Sequence, residues 1–146
     1  MQSHSSASFV VHNLNDAKRA LEIAVRAGTD VTLLSAPSAA SLLGPRIFNE
    51  MITAAMSEIQ CDSIIIDAAI DCGDAAGPAL RAIKEGCKHI VSNAPPDVLV
   101  KIRQIATTSN TRVTTGQISA LDLGSSHLTD KQLLTWITKQ ENPIHA

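Results

Sequence analysis

Five times along the chain a short strand-like run is followed closely by a stretch with helical spacing. "SFVVHN" precedes "LNDAKRALEIAVRAG", where Leu14, Ala17, Leu21, Ala24 and Val25 form an apolar stripe and Gly28 marks the stop. "DVTLLSA" precedes "SAASLLGPRIFNEMITAAMSEI", which Gly44-Pro45 breaks, so a regular helix starts near Pro45. Its stripe is Ile47, Phe48, Met51, Ile52, Ala55 and Ile59. "DSIIIDAAI" is apolar on both faces, as a central parallel strand must be, and "DAAGPALRAIKEG" follows it. "CKHIVSN" leads into "PPDVLVKIRQIATTSN", and "TRVTTG" is the fifth strand. "ISALDLGSS" reads as loop, and "LTDKQLLTWITKQ" as an extra C-terminal helix with Thr129 as N-cap and Leu133, Trp136 and Ile137 on its buried face.

Strands and helices alternating across short links are built as βαβ units around a parallel sheet, with right-handed crossovers. The expected fold is therefore α/β: five βα units, a parallel sheet and a C-terminal helix. The sheet is either open and flavodoxin-like or half-barrel-like, since five units cannot fill an eight-stranded barrel. Residues 1–7 are expected to be a disordered arm, 8–140 a single α/β domain and 141–146 a tail.

Composition narrows the partners. With 45% hydrophobic and 18% charged residues, the chain of 146 residues has material for a sizeable core. A net charge of −2 provides no basic field for a phosphate backbone. Phe9, Phe48 and Trp136 are the only aromatics, too few for base stacking, so nucleic acid is not an expected partner. No apolar run approaches the ~20 residues of a membrane span. The polar start "MQSHSSAS" is not a secretory signal. Cys61, Cys72 and Cys87 lack CxxC spacing, which suits reduced thiols in a cytoplasm. Trp136 and Phe48 belong either to the core or to a homo-oligomer interface.

Both candidate architectures place ligands outside the carboxyl ends of the strands. That rule selects His12, Asn13, Ser35, Asp71, Gly73, Ser92, Asn93, Thr115 and Gly116 as site residues. Arg46, at a helix start, is a candidate clamp for a phosphate or carboxylate. Asp74 fits a helix N-cap and Gly73 the turn before it. Asp71, at the head of a strand, is the candidate acid or base. Cys72 fits a buried thiol. His89 lies inside a strand, and His4, His127 and His145 fall in the arm, a loop and the tail, so no spaced His/Cys cluster exists and no metal is expected. Neither GxGxxG nor GxxxxGK[ST] occurs, and no cofactor is expected.

"GPRIFNEMITAAMSE" and "AAIDCGDAAGPALRAIKEGCKHIVSN" together resemble the third and fourth βα units of class II, zinc-dependent fructose- and tagatose-bisphosphate aldolases. In that resemblance Asp71 stands at the catalytic Asp, Cys72 at a zinc-binding His and Gly73 at the following Gly. Ala82, Ile83 and Gly86 match the helix end. "NLNDAKRALEIAVRAGTDVTLLSA" resembles the opening units, with Asn13 at a polar loop position. The resemblance implies a TIM-barrel-like βα scaffold. With Cys in place of the His, and without later strands to supply further ligands, it implies a shortened, aldolase-like protein without the zinc chemistry.

Three functions follow as expectations. The first is binding of a small polar or anionic metabolite at the strand C-termini. The second is a lyase- or isomerase-type enzyme with Asp71 as acid/base and Asn13, Ser35 or Asn93 orienting a carbonyl substrate. The third is a structural homo-oligomer module.

Overall fold

The computed structural model describes residues 6–125 and 127–141 of the chain. The elements run β1 (Ser6–Val10), α1 (Leu14–Ala27), β2 (Asp30–Leu34), α2 (Ala39–Leu42), α3 (Pro45–Glu58), β3 (Ile66–Asp71) and α4 (Ala76–Lys84). They continue β4 (His89–Val91), α5 (Pro96–Thr108), β5 (Arg112–Thr114), β6 (Leu121–Asp122) and α6 (Asp130–Glu141). The six strands form an all-parallel sheet in the order β5-β4-β3-β2-β1-β6. From β1 to β5 the strands succeed one another in chain order, as in a barrel, rather than in the flavodoxin order. Residues 1–5 of the expected arm and 142–146 of the tail lie outside the described residues, while Ser6 and Ala7 already belong to β1.

Contacts divide the chain into two units. One takes the chain up to Leu33, Met51–Asp67, and the chain from Ser119 onward. In it α6 packs on α1 and on β1, where the Phe9 and Trp136 rings meet at 5.2 Å with a 54° tilt. Leu133 and Ile137 of α6 are fully buried, as their spacing predicts. Burying a side chain of this size stabilises by roughly 1.5–3 kcal/mol. Arg19 of α1 donates to the Leu128 carbonyl and pairs with Asp130 at 3.1 Å, which anchors the start of α6. The expected cap of α6 is a reciprocal box: the Gln132 N–H donates to Thr129 Oγ1 at 3.2 Å, and Gln132 Oε1 accepts from the Thr129 N–H at 2.8 Å.

The other unit is Leu34–Glu50 with Ala68–Ile118. Here β3, α4, β4, α5 and β5 step in one direction, so right-handed crossovers put α4 and α5 on the same face, where they pack together. Ile90 and Ile102 are fully buried there. Phe48 is buried within the chain, which settles its choice between core and interface in favour of the core. Arg103 donates to the Val113 carbonyl at 3.0 Å and blunts the open edge of β5.

One turn recurs at three helix ends. After α1 the Gly28 N–H donates to Val25 O and the Thr29 N–H to Ala24 O. After α4 the same pair is Gly86 to Ile83 and Cys87 to Ala82, and after α5 it is Asn110 to Thr107 and Thr111 to Ala106. Each is a Schellman turn with its central residue left-handed, at φ 66, 88 and 57. The acceptor of the bond that spans five residues is each time a buried alanine, and the residue that closes the turn (Thr29, Cys87, Thr111) is buried just before the next strand.

Three expectations change. Ile64 and Ile65 lie before β3 rather than in it, and Ile65 is 68% exposed. It remains on the sheet's margin because its N–H donates to Asp30 Oδ1 at 2.8 Å. Ile47 leaves the α3 stripe and is exposed, while Phe48, Ile52 and Ala55 keep the buried face. The segment read as loop carries β6, whose two residues are too few to show an alternating pattern.

Thr111 and Thr29 occupy the same place in the repeated turn, yet their hydroxyls differ. Thr111 Oγ1 donates to Cys87 O at 2.9 Å, whereas Thr29 Oγ1 is buried with no hydrogen-bond partner among the described residues. An orphaned buried hydroxyl costs about 1–3 kcal/mol. Thr29→Val is expected to raise the urea midpoint with an unchanged m-value, by about 1 kcal/mol. A lower midpoint would show that the hydroxyl is satisfied in solution.

Candidate functional site

At the carboxyl ends of the second unit's strands, the expected site residues bond to one another. The Asp71 N–H donates to Ser35 Oγ at 2.8 Å, and Ser35 Oγ donates to the Ala36 carbonyl at 2.9 Å. Asp71 Oδ2 accepts from the Ser38 N–H at 2.7 Å and from the Gly73 N–H at 3.2 Å. The Gly73 carbonyl accepts from the Asn93 N–H at 2.9 Å, and Asn93 Oδ1 accepts from the Gly116 N–H at 2.8 Å. Ser92 is fully buried, and its Oγ accepts from the Ala94 N–H at 3.3 Å. A lateral chain of bonds thus ties the loops after β2, β3, β4 and β5. Thr115 is exposed beside Gly116.

Asp71, not Asp74, organises the loop before α4. The helix begins at Ala76 after Ala75, which gives no side-chain cap, and Asp74 is exposed in the turn. Asp71 reaches two loop amides because the strand ends on it and Gly73 turns at φ 67. Gly73 is also spatially constrained, since a Cβ there would stand 3.1 Å from Ser38 Oγ. Arg46 is exposed and pairs with Glu50 at 3.5 Å along its own helix.

Cys72, at the position of the resembled enzymes' zinc-binding His, does not fit a zinc ligand. It is buried with its Sγ 3.7 Å from the Ile70 carbonyl. Burial, then the charges of Asp71 and Cys87, push its thiol up to about 12, whereas zinc and nucleophilic chemistry use the thiolate. Among the described residues no three His, Cys, Asp or Glu side chains stand together as a metal site. His4 and His145 lie outside the described residues. His89 is buried in β4; its Nε2 lies 2.7 Å from Thr114 Oγ1, and its Nδ1 faces Arg112 Nη2 at 2.9 Å. Arginine only donates, so Nδ1 accepts and Nε2 carries the proton toward Thr114.

In the first unit β6 pairs with β1 through Phe9↔Leu121 and Val10↔Asp122. This register brings His12, just past β1, to Asp122: Nε2 and Oδ1 are 2.7 Å apart. Asp122 Oδ1 also accepts from the Gly124 N–H at 2.8 Å. The ring lies against Gly124, where any Cβ would collide with it. Asn13 caps α1 by accepting from the Asp16 N–H at 2.8 Å, and Asp16 Oδ2 accepts from the His12 N–H at 2.9 Å. Burial works to raise the Asp122 carboxyl, but hydrogen bonds from His12, Gly124 and Ser125, and the charge of His12, outweigh it and hold the carboxyl below its ordinary value. An ionised carboxylate only accepts, so His12 donates from Nε2 to Asp122 Oδ1. Nδ1 has no hydrogen-bond partner among the described residues, and 35% of the side chain is exposed.

The sequence alone did not single out Asp122. The signal was a repeat: Ile70-Asp71-Cys72-Gly73 and Leu121-Asp122-Leu123-Gly124 are both apolar-Asp-apolar-Gly, and in both the Asp accepts from the Gly N–H. One Asp grips the Ser38 loop and the other grips His12.

Compared with models of known protein families and with curated proteins, the chain matches none. Among the described residues no helix is long and apolar enough to cross a membrane.

Two measurements check this geometry. Gly73→Ala forces a left-handed alanine toward Ser38 and is expected to destabilise by roughly 1–2 kcal/mol in denaturant unfolding; an unchanged midpoint would deny the close approach. The lowered Asp122 value stabilises the fold fully above the ordinary 3.8, and this contribution is lost as pH falls through the folded value. Asp122→Asn should therefore be less stable than the parent at neutral pH, with the gap closing below pH 3.8. A gap independent of pH would remove the charge from the account.

Proposed function

We propose that the protein binds a small polar metabolite at the carboxyl end of β1 and β6, with His12 as the recognising group, and that it does not carry out zinc aldolase chemistry. The observation that supports this is the posture of His12. A carboxylate holds its Nε2–H, a glycine backbone seats its ring, and Nδ1 has no hydrogen-bond partner among the described residues. The site lies where the strand order reverses, since β2 flanks β1 on one side and β6 on the other, and open parallel sheets bind ligands at such points. Residues spent on loop-to-loop bonds in the other unit are weaker candidates. Asp71, the acid/base of the lyase or isomerase alternative, has one oxygen committed to two backbone amides. The resemblance to the aldolases is read here as one of scaffold, because burial raises the Cys72 thiol away from the thiolate that zinc would need.

Heteronuclear NMR on the full chain tests this reading. The panel is glycerol, fructose, ethanolamine and their phosphates. At least one compound is expected to shift the His12 ring and the Asp122 and Gly124 amides saturably, and His12→Gln is expected to abolish the effect while the fold persists. A panel that leaves these resonances unmoved would sink the proposal.

A further inference from the structure

From the end of α2 into the first turn of α3 the chain turns large apolar side chains to solvent. Leu42 is 83% exposed, Ile47 54% and Leu43 41%, all within six residues. A lone exposed leucine is ordinary, but a contiguous apolar patch marks an interaction surface. The corner that carries these residues is tied down. The Leu43 and Gly44 N–H groups both donate to the Ala39 carbonyl at 2.8 Å, and the Phe48 N–H donates to the Gly44 carbonyl at 3.2 Å. Ala39, Ala40 and Phe48 are buried, and Asp71 accepts from the Ser38 N–H that opens α2. A corner held this way loses little freedom when it is covered.

The charges beside the patch point to its occupant. Arg46 and Glu50 are the only charged residues from Ser38 to Glu50. Both are exposed, one helical turn apart, and face each other loosely at 3.5 Å. An exposed pair of this kind contributes little where it stands, so both charges are open to another partner. One cation and one anion a turn apart are complementary to themselves under a two-fold axis. With the starts of two α3 helices laid antiparallel, each Arg46 meets the Glu50 of the other copy, and Leu42, Leu43 and Ile47 bury against the same residues. A lipid surface, or a partner of one sign of charge, leaves one of the two unmatched. We infer that this corner is a docking surface for a second copy of the chain, in a two-fold dimer with Arg46 and Glu50 paired across it. The expected homo-oligomer contact thus passes from Phe48, which is buried, to its exposed neighbour Ile47. None of these residues belongs to the His12 site, so the dimer stands or falls apart from that reading. Three apolar side chains make a smaller contact than the roughly 800 Å² per partner of a standard interface, so the dimer is weak.

Sedimentation velocity on the full chain, from about 5 μM to about 1 mM, tests this. The parent is expected to pass from monomer to dimer with a dissociation constant on the order of 0.1 mM. Leu42→Ser and Ile47→Ser change exposed side chains and are each expected to weaken the dimer roughly tenfold. Arg46→Glu and Glu50→Arg each set like charges across the axis, and each alone is expected to stay monomeric. Mixed in equal amounts they are expected to form a heterodimer, because the two changed side chains then meet with opposite charge. No contact within one helix produces that complementation. A parent that stays monomeric throughout would overturn the dimer. A dimer untouched by the serine or charge variants, or charge variants whose mixture stays monomeric, would overturn its placement on this corner. A monomeric parent that cosediments with phosphatidylcholine vesicles, and ceases to with Leu42→Ser, would give the face to lipid instead.

Discussion

Parallel strands oblige the chain to return along a helix, and each helix must then be stopped and reversed into a strand within a few residues. That reversal is the constraint on which the architecture depends. After α1, α4 and α5 the same Schellman turn performs it: a left-handed Gly28, Gly86 or Asn110, then a buried residue whose N–H returns to a buried alanine carbonyl. The alanine matters because it is buried, with no room granted to a larger side chain without repacking. The left-handed residue matters because helix carbonyls would otherwise end without partners. Three uses of one turn keep the βα units in step.

The opposite ends of the strands are governed by a second small device. Asp71 and Asp122 each close a strand, each accept from the glycine two residues on, and each reach sideways to a neighbouring segment. In one case the neighbour is a loop amide and the result is structural. In the other it is an imidazole, and the result is a histidine ring held by its Nε2. The same local chemistry grips a loop amide or an imidazole according to what the neighbouring segment presents.

Where a signal lay within one turn of chain, the sequence was legible. Gly28 as a stop, Pro45 as a start, Thr129 as a cap and the Leu133–Ile137 face all act through residues three or four apart. Signals shared between segments were read less well. Three consecutive isoleucines looked like one strand, but only Ile66 enters it. Asp74 satisfied every local rule for an N-cap, yet Asp71 had already drawn the loop inward. A two-residue strand has no periodicity to detect, so β6, and Asp122 with it, stayed hidden.

By itself, therefore, the sequence determined the α/β class, the alternation, the helix ends and the edge of the sheet where polar residues gather. These follow from periodicity, capping and the handedness of crossovers, all of which are local or general. Tertiary structure decided which of those polar residues face each other. Ser35, Asp71, Asn93 and Gly116 turned out to be one another's partners. His12 acquired a carboxylate from a residue 110 positions away. Such a pairing depends on strand order and register, which are set by packing the whole sheet, and no short stretch of chain contains it.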